Sequence, residues 1–509
     1  MKFNKNIIIF GTFLFVLILL AFSVKGHKGN PIYNQTEHDK LVGGPFESTN
    51  SSSRYALVEA IVENKTFFFN NSQAQFSAAD IVSYNGKIFS VFTPGVSFAA
   101  LPFYILGKQI GMPQLFTYFS TILFALINLY LVTKLGRKFG AGFYEALIGG
   151  ILFIFGTNAL SYALTLTQHH ISTTLILLAL LNAISERTFV KNILFGLLYA
   201  AGLLMDIPNG LMMLPLAIYV LYRHISFSEI GNKIKLSVKL NIIALLIGLV
   251  ALVSVFAWYN FQTTGSLTRF AQSIGRVDFV EEGVVQKRKE SAKENPFEKK
   301  SFYNTRKQLN GFYVLFVSNE RGWLYYSPIV VIGILGFIYS LRKKETKTLV
   351  ILAVSIILFC FVSYASFGDP WGGWSFGSRY LIPASALICA GIGVAIQKYK
   401  KNLLFILIFL VLLVYSVSVN SLGAMTTSAI PPKVEAIELS TPIPYTYEYN
   451  LNLMEENRSS SLLYNIFFYN ITSFRGYLIG YIIAVVMLIE ALYIMSIVKK
   501  SNTLEYEKN

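Results

Sequence analysis

One polar segment, FGDPWGGWSFGSRY (residues 367–380), lies between two long apolar runs. A turn between two membrane helices needs only a few small polar residues. This segment instead combines four glycines with Trp371, Trp374, Asp369 and Arg379. It therefore brings planar rings, a flexible backbone and one fixed positive charge to a single place, which a simple turn does not require.

Further ionisable residues lie at the predicted outer ends of apolar runs or in the segments between them. Such groups at the mouths of membrane spans are candidates for functional sites. The basic candidates are Arg54, His169, His170, Arg321 and Arg379. The acidic candidates are Asp80, which precedes the aromatic stretch IVSYNGKIFSVFTPG, and Glu59 with Glu63. Ser53 is a candidate N-cap of the helix RYALVEAIVEN, whose apolar face we expect to lie along the membrane surface.

The composition predicts that a helical membrane protein carries these residues. Of 509 residues, 54% are hydrophobic and only 14% are charged, whereas about a quarter of the residues in soluble domains are charged. Apolar runs of roughly 18 to 20 residues recur, each long enough to cross a bilayer. The fold class is therefore an all-α polytopic membrane protein. The twelve predicted spans are 6–24, 113–133, 142–158, 169–184, 191–204, 208–222, 240–259, 322–341, 347–365, 378–396, 402–420 and 474–497.

The distribution of Lys and Arg predicts the orientation, because cytoplasmic loops carry the excess of these residues. With the amino terminus inside, the excess of basic residues in the inner segments equals the net charge of the chain, +16. The basic balance thus marks topology, and no nucleic-acid partner is indicated. All four tryptophans then lie at outer ends of spans or in outer loops. Residues 92–110 are apolar enough to span, but a crossing there would invert the later loops, so we expect a juxtamembrane or re-entrant helix.

The predicted loops divide the chain and place the candidate chemistry outside. The units are 1–259, a seven-span module with outer loop 25–112; 260–321, a second outer loop; 322–420, further spans; 421–473, an outer segment; and 474–509, the last span and a cytoplasmic tail. The run EEGVVQKRKESAKENPFEKK in the second loop is interpreted as mixed-charge helix and loop, or alternatively as a lid. The first span has an alternative as a cleaved signal, since AFS before Val24 resembles a cleavage site.

Several soluble chemistries are not indicated. The sequence has no HExxH, no Walker loop and no GxGxxG after a strand, the motifs of zinc and nucleotide sites. Cys360 and Cys389 fall inside apolar runs and are expected to be buried.

Several motifs together resemble the GT-C superfamily of integral-membrane glycosyltransferases. They are SSRYALVEAIVENKTF, DIVSYNGKIFSVFTPG, TQHHISTT, WYNFQTTGS, NERGWLYYSP and WGGWSFGSRYLIP. The chain looks similar to protein mannosyltransferases and lipid A aminoarabinose transferases over most of its length. The resemblance implies a GT-C-like bundle of about 12 transmembrane helices, with a large first outer loop that contains juxtamembrane helices. It also implies sugar transfer from a polyprenyl-phosphate donor to a protein, lipid or glycan acceptor outside the cell membrane, without a cofactor.

The same resemblance assigns roles to the candidates. An inverting displacement needs a base for the acceptor hydroxyl, and relatives usually carry an acid where this chain has Ser51. Asp80 is then the first candidate base and Glu59 the second. The phosphate of the donor would be bound by Arg54, His169, His170, Arg321 and Arg379, of which His170 matches the relatives' histidine best. Trp371, Trp374, Asp369 and Tyr84 would contact the sugar or the prenyl chain.

Each assignment has a simpler alternative. Tryptophans at a membrane interface anchor helices, Arg379 can pair with Asp369, and the two histidines can bond locally at a helix end. Asp80 can cap a loop, Glu59 and Glu63 can form a solvated face, and Asp206 is interpreted as a helix cap.

Two other functions remain open at this point. A transporter or flippase of a lipid-linked or amphipathic solute would show corresponding halves with broken helices, which the sequence does not display. A catalytically silent scaffold of surface-glycan assembly would fit the serine at position 51. Oligosaccharyltransferases of the same superfamily need a metal-ligating acidic set and a large soluble C-terminal domain, neither of which is visible, so no metal is predicted.

Overall fold

The computed structural model describes residues 5–26, 42–230, 233–280, 284–287 and 305–506, and helices form most of this part of the chain. In chain order the helices are α1 (Lys5–Ser23), α2 (Thr49–Glu63), α3 (Asn71–Ser77), α4 (Gly95–Gln109), α5 (Pro113–Lys138), α6 (Phe143–Phe155), α7 (Ala159–Ala163), α8 (His169–Ala183), α9 (Phe189–Met205), α10 (Pro208–Tyr222), α11 (Ile243–Thr264), α12 (Ala271–Ile274), α13 (Thr305–Phe316), α14 (Trp323–Tyr326), α15 (Val330–Leu341), α16 (Lys344–Ala365), α17 (Ile382–Tyr399), α18 (Leu403–Met425), α19 (Lys433–Glu438), α20 (Glu448–Glu455) and α21 (Phe474–Tyr506). The strands are β1 (Ile81–Tyr84), β2 (Lys87–Ser90), β3 (Ile225–Ile230), β4 (Lys233–Val238), β5 (Val277–Val280) and β6 (Val284–Lys287). The 3₁₀ turns Leu240–Ile242 and Arg379–Leu381 precede α11 and α17, and a π-helical turn covers Tyr464–Phe468.

All twelve predicted spans correspond to apolar helices in the described part of the chain. The seven that are long and apolar enough to cross a membrane are α1, α5, α11, α16, α17, α18 and α21. The five shorter apolar helices at the remaining predicted positions are α6, α8, α9, α10 and α15. The predicted polytopic helical fold is therefore confirmed.

Helices α6 and α17 form the centre of the bundle. In α6 every residue from Glu145 onward is buried. In the most apolar part of the α17 segment 89% of the residues are buried, whereas in that of α11 only 17% are. Small residues let the central helices approach closely, since a Cβ at Gly149 of α6 would lie 2.5 Å from the carbonyl oxygen of Cys389 in α17. Cys360 and Cys389 are buried and free, as predicted.

The first outer loop packs around α2. This helix begins at Thr49, ahead of the expected N-cap Ser53, and residues 50–58 are all buried. The prediction of a cap at Ser53 was wrong, because the Ser53 hydroxyl donates to the Asp80 carbonyl at 2.7 Å and bonds the Ser90 hydroxyl at 2.8 Å. These interior partners let polar residues 50–53 be helical and buried, so α2 is enclosed by protein over most of its length.

Two small sheets were not predicted from the sequence. Strands β1 and β2 form an antiparallel hairpin, and β1 also pairs with β5 at Ile81 and Val277. The resulting sheet has the order β2-β1-β5-β6 and joins the first outer loop to the second. Strands β3 and β4 pair in the segment between α10 and α11. Residues 284–287 of the predicted mixed-charge helix and loop are strand β6, and the rest of that run, including the suggested lid, lies outside the described residues.

The apolar residues 92–110 contain helix α4, which packs against α2 and α5. Its outer surface is tied to α2 through Glu63. The Glu63 carboxylate accepts from the Tyr104 hydroxyl at 3.0 Å and from Lys108 Nζ at 2.6 Å. These bonds and the buried face of α4 hold the helix to the outer loop.

A buried ion pair between Lys25 and Glu47 connects three distant outer segments. The Glu47 carboxylate also accepts from the hydroxyl of Thr427 and from the amide and hydroxyl of Ser428. Burial raises the pKa of Glu47, but Lys25 and these hydrogen bonds outweigh it and leave the pKa below its ordinary value. The end of α1, the first outer loop and the segment after α18 are thereby held together.

Cysteines introduced at Ser273, in the second outer loop, and at Lys401, between α17 and α18, test the predicted orientation. Both positions are exposed, whereas the native cysteines are buried, so only the introduced thiol should react. In intact cells an impermeant maleimide is expected to label Ser273→Cys and not Lys401→Cys, and detergent should make both reactive. Labelling of Lys401→Cys alone in intact cells would show that the orientation is the opposite of the predicted one.

Candidate functional site

Arg54, on the first turns of α2, is the central cation of the candidate site. Its side chain is 1% exposed, and its guanidinium lies 4.0 Å from the centre of the Phe92 ring. One terminal nitrogen donates to the side-chain and main-chain oxygens of Asn50, and the other donates to Oε1 of Gln168 at 2.9 Å. Nε of Arg54 has no hydrogen-bond partner among the described residues. The guanidinium is thus oriented by protein and retains an unused donor.

Two acids and a second arginine surround this cation. Asp206, directly after α9, accepts from Nε2 of Gln168 at 3.1 Å and interacts electrostatically with Arg54 and Arg379. Burial lowers the pKa of Arg54 to about 10, while the charges of Asp206 and Asp80 oppose that shift. Burial also raises the pKa of Asp206, against the effect of Arg54. The fold therefore gathers charges from the first outer loop, α9 and the segment before α17 into one cluster.

Asp80 lies in the turn between α3 and β1, close enough to Arg54 to interact electrostatically. It is 7% exposed. Its Oδ2 accepts from the Thr49 hydroxyl at 2.7 Å, and its Oδ1 lies 3.1 Å from Nε of Arg276 in the second outer loop. The structure therefore places the first candidate base beside the cluster, with both carboxylate oxygens held by protein.

The two adjacent histidines are placed differently. Both ring nitrogens of His170 have partners, Nε2 with the Ala159 carbonyl at 2.8 Å and Nδ1 with the Asn128 amide at 3.3 Å. The ring of His169 packs edge-on against Tyr162, and its Nε2 has no partner in the described part of the chain. The charges of Arg379 and Arg54 both act on His169. A phosphate contact from His170 stays a prediction, but the geometry favours His169 for that role.

Arg321 supports the tryptophan- and glycine-rich segment from beneath. Its side chain is 0% exposed. It donates to the carbonyls of Trp371 at 3.1 Å, Gly373 at 3.2 Å and Ile430 at 2.7 Å, and also to that of Glu320. A guanidinium satisfied by carbonyl oxygens holds the loop in place, so this arrangement does not favour the predicted phosphate contact of Arg321.

Arg379 follows the same segment and is half-buried. Its guanidinium lies 5.5 Å from the centre of the Tyr380 ring, it interacts electrostatically with Asp369, and its Nε has no partner among the residues described. Asp369 accepts from the Gly372 amide at 3.1 Å. The indole N–H of Trp371 is likewise buried without a described partner. The segment thus presents two unused donors, one of them on the second arginine of the cluster.

The other predicted site residues make contacts elsewhere. Glu59 accepts from Gln73 of α3 at 2.7 Å. Tyr84, at the end of β1, accepts from Arg269, whose guanidinium lies 5.1 Å from the tyrosine ring. Trp374 is 38% exposed and donates to Glu435 of α19 at 2.6 Å. Their predicted contacts with a substrate stay predictions.

Three residues of the cluster were not predicted as site residues: Gln168, Asp206 and Arg276. Asp206 was interpreted as a helix cap, although its place at the mouth of a span was a usable signal. Gln168 directly precedes the histidine pair, but a neutral amide gives no signal of its own. Arg276 reaches Asp80 only because β5 pairs with β1.

Metal ligation has no obvious place within the described ranges. No group of three or more His, Cys, Asp or Glu side chains there is arranged to hold a metal ion. The expectation that the site uses no metal stays a prediction.

No family model matches the sequence, and a comparison with curated proteins finds no match. ArnT from Cupriavidus metallidurans bound to undecaprenyl phosphate is similar in structure, with 13% identity and a TM-score of 0.49 over 97% of this chain and 76% of that chain. The apo form gives 12% identity and a TM-score of 0.46, over 97% and 77%. The apo oligosaccharyltransferase of Archaeoglobus fulgidus gives 12% identity and a TM-score of 0.46, over 86% and 59%.

ArnT and the oligosaccharyltransferase are both GT-C enzymes. GT-C is the superfamily that the sequence motifs resemble. At these identities and TM-scores the likeness transfers no residue role and no substrate to this chain.

Gly372→Ala is expected to disturb the segment that carries Arg379. Gly372 has φ +72°, and an added Cβ would lie 2.9 Å from Nε of Arg379. The left-handed conformation alone costs a non-glycine residue about 1–2 kcal/mol. The variant should therefore lower the apparent unfolding temperature of the purified protein. Gly368→Ala in the same segment is the matched control, because nothing lies within 4 Å of its Cβ position; equal unfolding temperatures for the two variants would contradict the prediction.

Proposed function

We propose that the chain is a membrane glycosyltransferase that uses a polyprenyl-phosphate-linked sugar donor and an acceptor at the outer face of the cell membrane. One observation carries this proposal. Arg54 and Arg379 lie close enough to His169 for both of their charges to act on it, and Nε of each arginine and Nε2 of the histidine have no hydrogen-bond partner in the described chain. Unused donors on two neighbouring arginines, with an unpaired imidazole nitrogen beside them, make a site for an anionic group.

A phosphate is the anion that fits a glycosyl donor. Arginine has a planar fork of donors that matches phosphate oxygens, and an imidazole adds a further N–H donor. When the bond between the sugar and the phosphate breaks, negative charge accumulates on the departing phosphate, and fixed positive charge there lowers the barrier. Arg54 and Arg379 would supply that charge, and His169 would donate a further hydrogen bond.

The acceptor side of the reaction is assigned to Asp80. A carboxylate within hydrogen-bond reach of an acceptor hydroxyl can take its proton during an inverting displacement. Asp80 lies beside Arg54, and its partner Arg276 has a side chain that is 49% exposed. Release of one carboxylate oxygen by Arg276 would let the acceptor hydroxyl take its place. The acceptor is a protein, a lipid or a glycan.

A catalytically silent scaffold is the second candidate function. It is favoured by the two protein contacts of the Asp80 carboxylate. It is also favoured by position 51, where a buried serine leaves no carboxylate to act as base. Such a protein would keep the lipid-phosphate site and lack transfer.

Mass spectrometry of lipid-linked and surface glycans in a deletion strain and its parent separates these functions. A transferase predicts that a lipid-linked sugar accumulates and that one sugar is lost from the surface. Restoration of both by a plasmid-borne wild-type copy would show that the effect belongs to this chain. Unchanged glycans would reject the proposal.

Arg379→Lys is expected to weaken binding of undecaprenyl phosphate to the purified protein in lipid nanodiscs. Lysine keeps the charge but loses the planar fork, so the loss should be about 1–3 kcal/mol, as for a hydrogen bond to a charged group. Native mass spectrometry can measure the binding, with undecaprenol as the uncharged control ligand. Arg458→Lys is the control variant, since Arg458 is 53% exposed and pairs with Glu456 at the outer surface. Unchanged binding of undecaprenyl phosphate by Arg379→Ala would contradict the assignment of Arg379 to the phosphate.

Asp80→Asn is expected to keep undecaprenyl phosphate binding and to lower sugar transfer by roughly 10²–10⁴-fold, because the amide preserves shape and removes basicity. Transfer can be read from the surface glycans of the complemented deletion strain. Full transfer in Asp80→Asn with loss in Glu59→Gln would assign the base to Glu59. Full transfer in both would mean an acceptor that arrives already ionised.

A further inference from the structure

Asp206 poses a physical problem for a phosphate-binding cluster. It lies directly after α9, half-buried, and its charge acts on both Arg54 and Arg379. A carboxylate beside a phosphate repels it, so its presence in such a site lowers affinity unless it does something else. The hydrogen bonds around Asp206 show what that can be.

A continuous chain of hydrogen bonds runs from Asp206 to Arg54. Oδ2 of Asp206 accepts from Nε2 of Gln168 at 3.1 Å, and Oε1 of Gln168 accepts from Arg54 at 2.9 Å. An amide has distinct donor and acceptor ends, so the carboxylate at one end fixes which end faces the arginine. With Gln168 held in this sense, its oxygen and not its amino group meets the guanidinium.

We propose that Asp206 is a positioning residue that acts through Gln168 to orient the guanidinium of Arg54 toward an anionic ligand. The inference rests on the proposed phosphate site. Asn50 holds one terminal nitrogen of Arg54 and Gln168 holds the other. With both ends fixed, the ring of Phe92 at 4.0 Å defines the plane on one face, and Nε is left for the ligand.

The intervening amide explains how an acid can serve an anion site. A carboxylate in direct contact with arginine takes two donors of the fork at once. By reaching Arg54 through Gln168, Asp206 fixes the orientation and leaves the Nε donor unused. The repulsion between Asp206 and a phosphate is thus offset, because Asp206 holds in place the arginine that attracts the phosphate.

The sign of the effect of Asp206→Ala tests this role. Removal of a negative charge would by itself tighten phosphate binding, whereas loss of the relay should weaken it. We expect Asp206→Ala in nanodiscs to bind undecaprenyl phosphate about tenfold more weakly than the wild type, as for loss of one hydrogen bond that orients a charged group. Asp206→Asn keeps an oxygen that accepts from Gln168, so its affinity should equal or exceed that of the wild type.

A double variant shows whether Asp206 acts through Arg54. In an Arg54→Ala background, Asp206→Ala should cause no further loss, because the residue that it positions is gone. Asp278→Ala, in β5 of the second outer loop, is the matched control acid and should bind normally. Gln168→Met breaks the relay at its middle and should weaken binding as Asp206→Ala does. If thermal unfolding shows that Asp206→Ala does not fold, the binding of undecaprenyl phosphate by Gln168→Met tests the relay instead.

Each outcome decides between defined alternatives. Equal or tighter binding by Asp206→Ala and by Gln168→Met would overturn the relay, as would a full additional loss in the Arg54→Ala background. If Arg379→Ala weakens binding while these variants do not, the phosphate site stands and only the relay fails. If Arg379→Ala also binds normally, the proposed function fails first.

Discussion

A buried guanidinium must be surrounded by hydrogen-bond acceptors, because its charge is costly to remove from water. Arg54 and Arg321 are the two largest fully buried side chains of the described structure, and one end of the bundle is arranged around them. Arg321 is satisfied by main-chain carbonyls from three segments, so it fixes the shape of a loop. Arg54 is held by two side-chain amides and keeps one donor unused, and the proposed phosphate site rests on that donor.

The acceptors for these arginines come from parts of the chain that are far apart in sequence. Arg321 joins the segment before α17 to Ile430, and the pair of Lys25 and Glu47 joins the end of α1 to residues 427 and 428. The apolar helices below provide the rigid base on which these segments meet. Polar contacts thus determine the structure of this end of the bundle, while close helix packing determines its body.

The two outer loops meet at one place. Strand β5 pairs with β1 beside the contact between Arg276 and Asp80, and Arg269 contacts Tyr84 at the far end of the same hairpin. The second outer loop therefore lies against the carboxylate that would act as base. In the proposed function an acceptor would have to replace Arg276 at Asp80, so its access would depend on the position of the second loop.

The sequence by itself determined the positions of the twelve apolar helices, the buried cysteines and most of the charged residues of the cluster. Hydropathy over about 20 residues is a local property, and burial of charge at a span mouth is rare enough to be informative. Only the tertiary structure shows that His169 keeps an unpaired nitrogen while both ring nitrogens of His170 have partners. It also shows that Arg321 binds carbonyls of the loop and that Gln168 and Asp206 lie next to Arg54. The partners of Arg54 lie up to 114 positions away. The role of a polar side chain is set by such distant partners, and no local pattern of residue types records them.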